Sequence, residues 1–113
     1  TGDAYLTIAS EIKPHYVLLV TSQSTLAVQD TIKSKVLFDR HKTPILGLID
    51  NMSYSICAYC NKTINEFIPV NLEKEIGLKV LGSIPREKDL ANFNSQKIST
   101  LFKPIYNELL KLL

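Results

Sequence analysis

The sequence predicts a three-layer α/β fold, a parallel sheet with helices on both faces. Two observations carry this. Three short runs, HYVLLVT, PILGLI and KVLGSI, are almost continuously apolar, the pattern of strands buried on both faces. Helical patterns separate them, so the order reads α-β-α-β-α-β-α, which favours parallel strands joined by right-handed crossovers.

Each element has a local reason. The first helix is predicted over residues 4–12 behind an Asp3 N-cap, and Pro14 stops it by disfavouring the α conformation at Lys13. Strand one covers residues 15–21. Ser22 or Ser24 caps the second helix, where Val28, Ile32 and Val36 fall four apart and Gln29, Asp30, Lys33 and Lys35 lie largely on other faces. Pro44 opens strand two, residues 45–49, and a long loop with the cysteines follows. Residues 71–76 form a short helix stopped by Gly77 at C′. Strand three spans residues 79–84, and Pro85 ends it. The last helix carries Ile98, Leu101, Phe102, Ile105, Leu109 and Leu112 on one stripe, with Pro104 kinking it or starting a new segment. Three strands leave the sheet incomplete, with at least one edge open to a partner.

Composition narrows the function. A chain of 113 residues is about one domain, here a single partial one. A net charge of +2, with Lys and Arg scattered, gives no electrostatic footprint for nucleic acid or an anionic membrane, so neither is expected as a partner. No run approaches the length of a membrane span, and no signal peptide is visible. Two cysteines do not make a disulfide scaffold, and the expected compartment is the cytoplasm. The chain opens TGDAYLTI, without Met, and is expected to be cut from something longer.

Ligands in such folds bind at the carboxyl ends of the strands. Three loops lie there: TSQSTL, DNMSYSICAYC and PREKDL. The second holds Cys57 and Cys60, spaced C-x-x-C, and four readings of that pair are open. Two thiolates across a tight turn reach one metal, but a closed zinc site or a cubane cluster needs four ligands. His15 and His41 are predicted at the opposite pole, so one chain is two ligands short, and a two-fold dimer would complete the set. A redox pair would open a helix, which Asn61-Lys62-Thr63 does not favour. A disulfide within the loop conflicts with a reducing cytosol, and two incidental thiols are the plain alternative. Asn61 favours the metal reading, because metal knuckles often need a left-handed residue just after the second cysteine and Asn is the best substitute for Gly.

TGDAYLTI, VTSQSTLAVQD, PILGLIDNMSYSICAYC and LGSIPRE, in that order, resemble the carboxyl half of the Mrp/ApbC family. These are cytosolic iron–sulfur cluster carriers on the MinD/ParA-type deviant P-loop ATPase fold. The family pattern runs D-x-P-P-G-T-G-D, V-T-T-P-Q-x-x-A-x-x-D, G-x-x-x-N-M-S-Y with C-P-x-C-G, and L-G-x-I-P. The resemblance implies that this chain is the C-terminal half of a P-loop NTPase-like fold. It implies that Cys57 and Cys60 bind a [4Fe–4S] cluster shared across a homodimer, with zinc possible in its place, for delivery to apo iron–sulfur proteins. Asn51 would read the adenine edge, with Pro85, Arg86 and Glu87 lining the base pocket. Thr1, Gly2 and Asp3 would be the tail of the switch loop that senses the γ-phosphate. On the residues alone, Asn51 and Asp50 read as turn formers, Asp30 as a helix-surface charge, Thr1 to Asp3 as a helix cap, and Tyr54 and Tyr59 as packing or shielding groups.

The departures matter equally. The glycine-rich lysine loop is absent, so this chain should not hydrolyse ATP by itself, and ATP with Mg²⁺ belongs to the full-length parent. Ala58 and Tyr59 stand between the cysteines, Asn61 replaces Gly, and NEFIPVNLEKEIG replaces a glycine-rich stretch. Two alternatives of different class remain: a zinc-clamped dimer of a nucleotide-binding domain, and a MinD/ParA-type ATPase with incidental cysteines.

Overall fold

The computed structural model describes residues 3–65, 68–87, 90 and 92–113. Helix α1 (Asp3–Thr7) runs into one π turn, Ile8–Ile12. Lys13 closes it, donating its amide to the Ile8 carbonyl at 3.0 Å from a left-handed conformation (φ 53°). Pro14 thus ends the helix where its ring excludes another α residue before it. Thr1, Gly2 and the side chain of Asp3, with the predicted switch tail and cap, lie outside the described residues.

Strand β1 (Val17–Thr21) leads to α2 (Thr25–Arg40), where the Ser24 hydroxyl accepts the Ala27 amide at 3.2 Å as N-cap. Next come β2 (Ile45–Ile56), β3 (Thr63–Ile64) and α3 (Leu72–Ile76). Helix α3 starts on the Asn71 side chain and stops at Gly77, whose φ of 82° is the left-handed cap expected there. Strand β4 (Val80–Arg86) and α4 (Ser95–Leu112) complete the chain.

The fold is α/β, with the expected parallel core. β2 lies between β1 and β4, pairing Leu19 with Leu48 on one edge and Leu48 with Val80 on the other. Helices α1, α2 and α3 cover one face over Leu19, Val28, Phe38, Leu48, Leu72 and Ile76. Helix α4 covers the other, where Ile105 meets Ile49 and Ile84. The approach is close: a Cβ at Gly82 would collide with the Ile105 side chain.

Several expectations are corrected. Strand two does not stop at residue 49. It continues to Ile56 and pairs antiparallel with β3, Ser55 opposite Ile64, so the sheet is mixed and has a fourth strand. Pro85 does not end its strand either. It is fully buried inside β4, an edge strand that tolerates the missing donor, and the ladder skips to Ser55–Arg86. β1 is not buried on both faces, since Val20 is 58% exposed beside Leu18 on the α4 side. The buried stripe of α2 is Val28, Thr31, Ser34 and Phe38, while Val36 faces outward. Thr31 and Ser34 can be buried because their hydroxyls donate to the Ala27 and Asp30 carbonyls one turn back. Pro104 starts no new segment: α4 passes through it, with Ile105 anchored in the core beside it. Phe102 and Leu112 of the expected α4 stripe are partly exposed.

Candidate functional site

The carboxyl ends of β1, β2 and β4 meet at one edge of the sheet, and β2 projects beyond β1 there. Its second half alternates Met52, Tyr54 and Ile56 with Asn51, Ser53 and Ser55. That is the period of a half-buried strand rather than of a loop. Met52 is left-handed (φ 52°), and the ladder to β4 is interrupted between Asn51 and Ser55. Ser55 pairs with Arg86 on one side and Ile64 on the other, which places β3 on the β1 edge beyond the point where β1 ends.

The cysteines cap this projection as a hairpin. The Cys57 amide donates to the Lys62 carbonyl at 2.9 Å, and the Asn61 amide donates to the Cys57 carbonyl at 2.9 Å. Asn61 takes the left-handed conformation, φ 58°, that lets the chain reverse directly after Cys60. Cys57 is half-buried, Cys60 is exposed, and both are free thiols. The backbone amides of Cys60 and then Tyr59, followed by the Cys60 side chain, hydrogen-bond the Cys57 sulfur and hold its pKa below the usual thiol value, against a small opposing effect of burial. Such amides favour a thiolate, the form that binds metal. Among the described residues no third His, Cys, Asp or Glu joins the pair, which by itself is two ligands short of a closed four-coordinate site. Tyr59 is 99% exposed at the tip, so it does not pack among the described residues as expected.

Asn51, Pro85, Arg86 and Glu87 come together on neighbouring strands. Asn51 is paired with Ile84, the residue before Pro85. Arg86 lies against Met52, its guanidinium 3.9 Å from the sulfur. Glu87 is held by Lys97 of α4 at 3.4 Å through Oε1, while its buried Oε2 has no hydrogen-bond partner among the described residues. His15 and His41 stand at the start of β1 and the end of α2, at the other end of the strands.

Two residues of this edge escaped the sequence reading. Asp50 is no turn former. It sits inside β2, 6% exposed, and accepts the Gln23 side-chain amide at 2.8 Å. Burial pushes its pKa up, with the Gln23 hydrogen bond partly offsetting this. The signal was available: Asp50 shares the phase of Leu48, and a carboxylate in a buried phase requires a partner.

Among the described residues no helix is long and apolar enough to cross a membrane. Residues 1–111 match the family described as ParA, the NUBPL iron-transfer P-loop NTPases. The chain is 33% identical over 88 residues to the iron-sulfur cluster transfer protein NUBPL of Dictyostelium discoideum, covering 75% of this chain and 27% of that protein. It is 32% identical over 93 residues to an Arabidopsis thaliana iron-sulfur protein required for NADH dehydrogenase, mitochondrial, covering 80% of this chain and 30% of that protein. With the iron-sulfur cluster carrier protein of Methanocaldococcus jannaschii the identity is 38% over 89 residues, covering 75% and 31%. The chain therefore spans less than a third of the length of these three relatives.

Proposed function

The chain belongs to the NUBPL iron-transfer P-loop NTPase family, and from that premise we propose that Cys57 and Cys60 hold an iron–sulfur cluster for transfer to apo iron–sulfur proteins. The carrying observation is the hairpin. It presents two thiols on one tight turn, the left-handed Asn61 behind them and backbone amides directed at the Cys57 sulfur. Two ligands are half of what a [4Fe–4S] cargo requires, so the other half comes from Cys57 and Cys60 of a second copy across a two-fold axis. The exposed turn suits delivery, because each incoming acceptor thiolate that binds iron displaces one carrier thiolate. Zinc fits the same four thiolates and is the competing occupant.

In this reading residues 1–113 are part of a single nucleotide-binding domain whose phosphate loop lies elsewhere in the full-length protein. ATP with Mg²⁺ binds there, Asn51, Pro85, Arg86 and Glu87 surround the base, and Thr1, Gly2 and Asp3 belong to the switch loop. Nucleotide state then biases the dimer between holding and releasing its cargo. The compartment we propose is the cytoplasm, where thiols stay reduced.

Anaerobic reconstitution of the full-length protein with iron and sulfide tests this. We expect one brown cluster per dimer, lost when both cysteines become serine. A colourless protein carrying stoichiometric zinc would sink the carrier reading.

A further inference from the structure

The cysteines lie between Asp50 and Val70, on the part of the chain that carries the second half of β2, the hairpin and β3. Both feet are held by one side chain. The Gln23 Nε2 donates to Asp50 Oδ2 at 2.8 Å, and the Val70 amide donates to Gln23 Oε1 at 3.3 Å. The orientation of the amide is fixed by its partners, since a carboxylate can only accept from the NH₂ and a backbone N–H can only donate to the oxygen. A primary amide offers a donor and an acceptor side by side at one end, and Gln reaches further than Asn. Asp50 is buried, and its Oδ1 has no hydrogen-bond partner among the described residues, so Gln23 is what answers this carboxylate. Gln23 also stands in the loop at the carboxyl end of β1, directly before the Ser24 cap of α2.

We propose that Gln23, anchored on Asp50, is a positioning residue that clasps the two feet of the cysteine-bearing segment and so sets how firmly the hairpin holds its cargo. The functional half of this rests on the carrier reading above. Closing a long excursion at its base removes much of the freedom of what it carries, which a contact at the tip could not do without blocking the thiols.

Residue-resolved hydrogen exchange on the full-length protein, without metal, tests the clasp directly. Gln23→Leu, which loses both bonds, is expected to speed exchange at the Val70 amide about tenfold or more while Val28 in α2 keeps its protection. Gln23→Glu keeps an acceptor for Val70 but sets a carboxylate against Asp50, and is expected to loosen Val70 as well. Asp50→Asn keeps an acceptor for Gln23 and is expected to exchange like the wild type. Unchanged exchange at Val70 in Gln23→Leu overturns the clasp, as does an equal rise at Val28. After cluster loading, iron loss to a chelator is expected to be several-fold faster in Gln23→Leu and unaltered in Asp50→Asn. Faster exchange with unaltered iron loss overturns the positioning role. A wild-type protein that takes up no cluster refutes the carrier reading instead, and the exchange result then decides the clasp alone.

Discussion

One strand, β2, behaves as two different objects. Residues 45–50 lie between β1 and β4 under helices on both faces, with Gly47, Leu48, Ile49 and Asp50 all buried. Residues 51–56 run past the end of β1, are half-buried or exposed, and carry the cysteine hairpin. The first half builds the domain and the second presents chemistry. On the carrier reading, a site that must surrender its cargo belongs on the segment that the core does not immobilise.

The contrast can be broken at either end. The largest effect on stability should come from Leu48→Ala in the first half. Leu48 is 0% exposed, and the cavity should cost about 3 kcal/mol, read from denaturant melts, with metal bound per folded molecule unchanged. A smaller loss is expected from Asn61→Val in the hairpin. A β-branched residue held at a φ of 58° costs on the order of 1–2 kcal/mol, and metal affinity should drop more than the melting temperature does.

Asp50→Asn sits at the junction and has the opposite sign. Burial raises the folded-state pKa of Asp50 above its unfolded one, so folding penalises the ionised form. Its contribution is most favourable below the ordinary carboxylate range and falls as pH rises through the raised folded value. The neutral amide should therefore gain on the carboxylate as pH rises to neutrality, an advantage that vanishes in acid. Melts across pH check this, and a constant difference at every pH would contradict it. Smallest for the fold is Cys57→Ser with Cys60→Ser, expected to move stability by less than about 0.5 kcal/mol while abolishing cluster binding.

The sequence and the structure agree where one physical cause dominates. The apolar runs at Leu19, Leu48 and Leu81 lie in the sheet as expected, Gly77 takes its left-handed cap, and Asn61 adopts the conformation that its place after Cys60 suggests. They part where two causes compete. Asn-Met-Ser-Tyr-Ser-Ile reads as a loop by its small polar residues and as a strand by its alternation, and the alternation prevails because β3 and β4 offer partners on both edges. Pro85 reads as a strand end because it lacks a donor, but β4 has a free edge where none is needed. For α2, apolar spacing points to Val36, whereas packing selects Thr31 and Ser34, whose polarity is absorbed by their own helix. The clasp of Gln23 on Asp50 and Val70 joins residues far apart along the chain, and only the phase of Asp50 hinted at it.

The hairpin's few cross-strand bonds lie outside both apolar clusters. Opening it therefore exposes little that the core depends on, and its free energy of opening is a small fraction of that of global unfolding. In the carrier reading, substitutions in the turn can therefore retune the grip at little cost to the fold, whereas substitutions at Asp50, buried at the foot of the segment, touch both.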